Sequence, residues 1–525
     1  MPPRSQEQEF WYRRRYGPHP EQGPPQRWLR RPSRIPQICR TGSPSLPAGF
    51  SRPVHLRNPC PPRGRQLFRR GQPAPSLGRG PRFVSPKRLP RRVPAHRGLQ
   101  PEARHMNTPM LFSDLHAAHD WLAGRGLLPP ERRSETLPTP HVRLHDGSTV
   151  VSFCSNNYLG LNHRTEVKAA ATQALHEHTH ATSESRRLGG NLGLLEQLEY
   201  ELAEFKKQPS ALVTATGLLA NIAAIHGILD AGELARRWYG GPAPSSQPVV
   251  IYDELCHRSI QMGARESSAE RVRFRHNDAE HLADVLAAYK GRAALVVTEG
   301  VFSMDGDLAD LPRLVEVCDT YGAVLMVDDA HGTGVYGADG SGTANHFGLS
   351  GRIPLQVATL SKAFGGMGGA VLGDERTIAM LRTFSSGYRF TSSLPAEQAA
   401  ATIAALRILR SEPGIRQILW TNVRRLRTGL VRMGINPPGD GPIIPLHMGT
   451  PHAAARFEEL MLDKGYWCVA VTPPAVAPDA CRVRLTVSAM HSSEQIDGLL
   501  ERISDVSSRA LELMGSARSY ARSAM

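Results

Sequence analysis

From residue 106 onward the chain alternates between two kinds of hydrophobic pattern. Apolar residues recur at helical spacing over LFSDLHAAHDWLAGRGLL (111–128), with Ser113 placed to cap it, over 165–178, and over LGLLEQLEYELAEFKK (192–207). VRLHDGSTVVSF (142–153) alternates in twos around Asp146-Gly147 and predicts a β-hairpin. Short, nearly continuous apolar runs then follow: SALVTAT (210–216), PVVIYDE (248–254), ALVVTEG (294–300), AVLMVDD (323–329) and LQVATLS (355–361). Each ends in polar residues, and the first leads through Gly217 into a helix to about 229. Runs of this kind predict parallel strands covered on both faces, with ligands at their carboxyl ends. Beyond TSSLPAEQ (391–398) a helix to about 410, another over 415–433, and shorter strands and helices predict a smaller α+β domain. The expected fold class is therefore α/β: a mainly parallel central sheet sandwiched by helices, plus that smaller C-terminal domain. The expected divisions are 106–165 for the N-terminal helix and hairpin, 166–395 for the large domain and 396–525 for the small one.

Residues 1–105 break the pattern. They hold 21 of the 42 prolines, with 23 Lys+Arg against 4 Asp+Glu. Such a segment buries too little apolar surface to offset chain entropy and is expected to be disordered. It reads as a basic arm, as an Arg-rich presequence interrupted by prolines, or as residues upstream of a start at Met106. The overall charge of +15 comes entirely from this segment, because the other 420 residues carry −4. The charge thus argues against a basic nucleic-acid-binding face on the folded part. Seven cysteines without a CxxC pair suggest reduced thiols, and no metal site is expected. No apolar run of spanning length and no secretory signal is apparent, so a cytoplasmic location is expected.

The candidate chemistry lies at the predicted strand ends. In VATLSKAFGGMGG (357–369), Lys362 follows an apolar strand and precedes glycines 365, 366, 368 and 369. A buried lysine amine is a ready Schiff-base former, and glycines let backbone approach a ligand closely. Pyridoxal phosphate (PLP) is the cofactor such a lysine suits, and it needs further partners. Asp328 ends the strand in MVDDAHGTG (326–334), with His331 three residues on; an aspartate there also serves as an ordinary cap. His257 in YDELCHRS (252–259) is a flat side chain just past another strand. Gly217 and Leu218 open a helix, a natural anion site, and Thr359 and the cluster Thr391, Ser392, Ser393 add hydroxyls. Arg482 and Arg484 share one face of CRVRLTVSAMH (481–491), where a guanidinium would suit a substrate carboxylate.

These motifs occur together and in order with SNNYLGL, TGLLAN, TEGVFSMDGDLADL and FTSSLP. From about 150 to 500 the chain resembles the α-oxoamine synthases, fold-type-I PLP enzymes that include 8-amino-7-oxononanoate synthase, 2-amino-3-ketobutyrate CoA ligase, 5-aminolevulinate synthase and serine palmitoyltransferase. The resemblance implies Lys362 as the Schiff-base lysine, Asp328 as partner of the pyridine nitrogen, His331 beside the ring hydroxyl and His257 stacked on the ring. It implies Ser303 near cofactor and substrate, and Gly217, Leu218 and Thr359 on the phosphate side. Thr391 and Ser392 match hydroxyls shared across a homodimer interface, and Asn156 and Arg484 match substrate-positioning residues. The implied reaction is decarboxylative condensation of an α-amino acid with an acyl-CoA or acyl-carrier-protein thioester, most often L-alanine with a pimeloyl thioester. Glycine- or serine-using synthases fit the same motifs, and an aminotransferase or an aldolase-like lyase would share Lys362 and Asp328.

Three features depart from the family's pattern. Asn157 stands where Asp is frequent, HATSESRRLGGN (180–191) replaces a glycine-rich loop near the substrate entrance, and AGELARRWYGGPAPSSQP (231–248) is an unusually long insert.

Overall fold

The computed structural model describes residues 109–506, apart from 126–127, 129–130, 137–139 and 179. The expectations for residues 1–105, for a start at Met106 and for frayed residues at the C-terminus lie outside the described residues. The hairpin forms as expected, from β1 (His141–Arg143) and β2 (Thr149–Ser152), paired antiparallel. The first helix begins earlier than its pattern suggested. It spans Met110–Ala123, so Ser113 lies in its first turn and donates its backbone N–H to Pro109 O at 3.1 Å. None of that helix's residues is buried.

A seven-stranded sheet forms the centre. Its strands are β3 (Ser210–Thr214), β4 (Val249–Asp253), β5 (Glu270–Phe274), β6 (Ala294–Glu299), β7 (Val324–Asp328), β8 (Leu355–Thr359) and β9 (Gly369–Gly373). They lie in the order β3-β9-β8-β7-β6-β4-β5. Only β9 runs against its neighbours; β8, β7, β6, β4 and β5 pair in parallel. Because β4, β8 and β9 are buried along their whole length, they show the continuous apolar runs of a two-sided sheet. One apolar cluster, including Leu212, Val250, Val297 and Met326, fills one side. Another, including Phe153, Leu360, Phe364, Leu426 and Leu485, runs into the C-terminal part. There β10 (Ile443–Gly449), β12 (Val469–Val471) and β13 (Cys481–Thr486) make an antiparallel sheet in the order β10-β13-β12, while β11 (Tyr466–Trp467) pairs in parallel with β2.

The helix after β3 continues to Tyr239, ten residues beyond its expected end, and stops at Gly240 in a left-handed turn (φ +69°). The first part of the 231–248 insert is therefore helical, with a Glu233–Arg236 ion pair one turn apart. Among the described residues this is the one helix long and apolar enough, by length and composition, to cross a membrane. Half of its apolar window is buried within the protein, where it packs on β8, β9 and neighbouring helices.

The segment 153–158 is strapped onto the strand end at 486–491. Thr486 N donates to Phe153 O and Ala489 N to Tyr158 O, both at 2.7 Å, and Ser488 Oγ donates to Asn157 O at 2.8 Å. His491 closes the strap. Its ring stacks on Phe153 at 4.0 Å, Nδ1 accepts from Ser488 N and Nε2 donates to Ser152 O. Burial pushes this imidazole down to about 4, although the Ser152 carbonyl that accepts from Nε2 favours the charged form. A folded value below the unfolded one of about 6.5 means that protonation favours unfolding. Stability is expected to fall as pH drops from about 6.5 to 4, by up to about 1.4 kcal/mol per unit. His491→Gln, compared with the parent by denaturant unfolding across that range, should lack this slope. A parallel pH response in the two proteins would refute the assignment.

Candidate active site

The carboxyl ends of β4, β6, β7 and β8 bring Asp253, Glu299, Asp328 and, three residues past β8, Lys362 to one edge of the sheet. Glu299 and Asp328 are neighbours in register, and both are buried. Lys362 lies within range of the charges of Asp328, Glu299 and Arg484. Burial brings its amine down from 10.5 to about 8, although the two carboxylates oppose the shift. Burial and the adjacent Asp328 charge raise Glu299 to about 8. These groups titrate together.

Asp328 is oriented by protein donors: Asn221 Nδ2 reaches Oδ2 at 2.7 Å and Ala330 N reaches Oδ1 at 3.1 Å. Asn221 also donates to Ser259 Oγ at 2.9 Å, and Ser259 Oγ lies 2.7 Å from His257 Nδ1. His257 caps the helix Arg258–Glu266, accepting Ser259 N at Nδ1, and its own N–H donates to Glu299 Oε1 at 2.6 Å. Partial burial lowers its basicity, with Asp328 opposing and Lys362 adding to the effect. His331 is buried. Burial first, then the charges of Lys362 and Arg484, push its imidazole well below 6.5.

The turn carrying Asp328 and His331 is held from behind. Asp329 Oδ2 meets Lys206 Nζ at 2.5 Å with both side chains buried, and Oδ1 accepts Thr343 Oγ1 at 2.7 Å. Arg484, on β13, donates Nη2 to Asn156 Oδ1 at 3.0 Å, while its buried Nε has no protein partner. Asn157 donates to Asn162 Oδ1 at 2.7 Å.

The phosphate-side candidates form a cradle. Gly217 and Leu218 are the first residues of a 23-residue helix, capped by Thr216 Oγ1 accepting Leu219 N. A Cβ on Gly369 would come 2.6 Å from Gly217 Cα, and one on Gly217 would come 2.8 Å from Thr359 Oγ1, so only glycines allow this approach. Thr359 Oγ1 is 3.0 Å from Ser361 Oγ. Ser303 is buried in the loop after β6. Thr391 and Ser392 are placed differently: they lie on a surface segment beside the exposed Phe390, and Thr391 lines a groove with Leu219, Ile222 and Met262. Thr391 Oγ1 donates to Ser392 O at 3.5 Å, and among the described residues neither side chain bonds a site candidate outside this pair. Nor does any group of three His, Cys, Asp or Glu side chains form a metal cluster among them.

The geometry fits PLP on several counts. A lysine of lowered basicity, an aspartate with two fixed donors, a glycine-lined helix N-terminus and an arginine with an unpaired N–H are all present. Asn221, Glu299 and Tyr158 also belong to this constellation, although each reads in the sequence only as a member of a larger motif. The aminotransferase class I and II family profile matches residues 148–503. An 8-amino-7-oxononanoate synthase from Methylococcus capsulatus is 41% identical over 363 residues, 69% of this chain and 90% of that protein. A Desulforudis audaxviator relative, provisionally given the same name, is 42% identical over 364 residues, 69% of this chain and 91% of its own. Among solved structures, a serine palmitoyltransferase from S. paucimobilis with a bound PLP–myriocin adduct is similar at a TM-score of 0.70 and 30% identity, covering 76% of this chain and 98% of that one. The chain belongs to the aminotransferase class I and II family, within its α-oxoamine synthase branch.

The loop bearing Ser303 is latched by an imidazole between two carboxylates. His276 Nδ1 lies 3.0 Å from Asp253 Oδ1 and Nε2 3.0 Å from Asp307 Oδ2, with its ring edge-on to Phe302. Burial opposes the charged form, but the two carboxylate bonds outweigh it and raise the imidazole to about 10. A folded value above the unfolded 6.5 stabilises fully below 6.5, and that contribution fades as pH rises toward 10. His276→Gln should therefore cost most stability below pH 6.5. Its deficit relative to the parent should shrink by up to about 1.4 kcal/mol per unit up to pH 10, read by chemical denaturation. A deficit independent of pH would refute the charged latch.

Proposed function

We propose that this PLP-dependent α-oxoamine synthase is of the 8-amino-7-oxononanoate synthase type, condensing L-alanine with a pimeloyl thioester, with loss of CO2, in biotin biosynthesis. The observation that carries this reading is 41–42% identity across nine-tenths of relatives bearing that name, against 30% to the serine palmitoyltransferase. The acyl group arrives on CoA or on an acyl-carrier protein, and the enzyme works as a cytoplasmic homodimer. The surface placement of the half-buried Thr391 and the exposed Ser392 supports a dimer, because in this reading they serve the partner's site.

When bound, PLP supplies an electron sink for negative charge developing at the amino acid's Cα. The protein's part is to bind, orient and move protons. Arg484, assisted by Asn156, takes the α-carboxylate through its unpaired Nε–H. Lys362 is assigned the Cα proton, and its lowered basicity gives a usable neutral amine near physiological pH. Asp328, fixed by Asn221 and Ala330, holds the proton on the pyridine nitrogen. His257 packs on the ring face, and His331 and Ser303 face the ring hydroxyl and the substrate. Gly217, Leu218 and Thr359 bind the phosphate. A serine-using synthase is the second reading, favoured by the shape similarity to serine palmitoyltransferase.

Purified protein with PLP should show visible Schiff-base absorbance that Lys362→Ala abolishes; absorbance kept by the variant would overturn the lysine assignment. Release of free CoA from pimeloyl-CoA is expected with alanine and much less with glycine or serine, followed by thiol titration. Preferential release with serine and a long-chain acyl-CoA would favour the second reading, and amino transfer from alanine to an added keto acid, without a thioester, would indicate an aminotransferase. Arg484→Ala should raise the KM for the amino acid about 10–100-fold, as expected for a lost charge-assisted bond of about 1.5–3 kcal/mol. An unchanged KM would remove Arg484 from the carboxylate site.

A further inference from the structure

The phenol of Tyr158 lies between the arginine assigned to the substrate carboxylate and the ring-facing histidine. Its Oη is 2.6 Å from His331 Nδ1, and both side chains are buried. The positive charge of Arg484 acts on the same phenol, favouring its ionised form against burial. Asn156 Oδ1 stands 3.4 Å from Oη and already accepts Arg484 Nη2 at 3.0 Å.

A neutral phenol has one proton to give. Directed to Asn156, it would make a long bond to an oxygen that already has a donor. Directed to His331 Nδ1, it makes a short bond to a nitrogen with no other protein partner in view. Burial keeps both groups neutral, raising the phenol to about 12 and lowering the imidazole. The ring's own hydrogen then lies on Nε2.

We propose that Tyr158 is a positioning residue that holds His331 as the Nε2–H tautomer and transmits carboxylate occupancy of Arg484 to it. The proposal rests on the reading of Arg484 given above. With Arg484 uncompensated, its charge polarises the phenol oxygen and strengthens the O–H donated to Nδ1. A carboxylate on Nε of Arg484 compensates that charge and weakens the donated bond. No backbone movement is required, because Tyr158 O is already held by Ala489 N and Ser488 Oγ.

The test is histidine 15N NMR on the cofactor-loaded protein, with His331 assigned by the signal missing in His331→Asn. Propionate serves as the probe, since it has a carboxylate and no amine. The parent should show His331 protonated at Nε2, with a hydrogen-bonded Nδ1 whose resonance moves as propionate saturates. Tyr158→Phe keeps the buried ring and removes only the hydroxyl. It should lose the Nδ1 hydrogen-bond signature and the response, while propionate still competes with alanine. Protonation at Nδ1 in the parent, or an equal propionate response in Tyr158→Phe, overturns the proposal. Propionate that fails to compete with alanine in the parent overturns the carboxylate reading of Arg484 and the coupling with it. The unliganded spectra still decide the tautomer in that case.

Discussion

The carboxyl edge of the sheet depends on how the turn after β7 is anchored, and the anchor is the ion pair between Lys206 and Asp329. Both side chains are almost wholly removed from water. Desolvating two charges costs several kcal/mol each unless further hydrogen bonds complete the site. Here they do: Asp329 also accepts Thr333 Oγ1, Thr343 Oγ1 and Thr343 N, and Lys206 also donates to Thr333. Gly342, with φ of +113°, lets the chain pass where a Cβ would land on Asp329 Oδ2. Pulling Asp329 back into the body leaves its neighbour Asp328 with Asn221 and Ala330 at the strand end and sets His331 in the following turn. Chemistry at this edge therefore depends on a pair that touches no ligand.

The central strands were legible because each is a buried apolar run ending in a polar residue, and the same rule located Lys362 and Asp328. Two strands of the sheet escaped it. β5, ERVRF, is an edge strand with four of five residues at least partly exposed, so charges interrupt its pattern. β9, GAVLG, is short, starts and ends in glycine, and reads as the tail of the loop after Lys362. The helix after β3 was cut short because ELARRWY looks like part of a polar insert, although its Glu233–Arg236 pair suits a helix surface. Ser113 resembled a cap, yet the helix had already started at Met110. Site partners such as Asn221, Tyr158 and Glu299 were inside recognisable motifs. Their roles depend on contacts across 42 to 173 positions of chain, which local patterns do not encode.

The loop at 180–191 divides into a buried interior and an exposed exterior. Arg186 is buried and pairs with Glu199, which also meets Arg382 at 2.6 Å and accepts Val213 N at 2.8 Å. Arg186 also bonds Asn191 Oδ1 at 2.9 Å. Glu184, Arg187 and Leu188 face outward instead. The loop's attachment to β3 and its neighbours is thus independent of the side chains it presents to solvent.

Glu299 adds a consequence of its own. It is buried beside Asp328, it is bonded to the backbone of His257, and its proton is held near neutrality. Lys362 titrates over the same interval. The two groups behave as one small buffer whose net charge, and not the state of either member, responds to what enters. Any cation or anion arriving at this edge is met by proton exchange with water. Its apparent affinity therefore depends on pH even when the arriving group has no ionisation of its own.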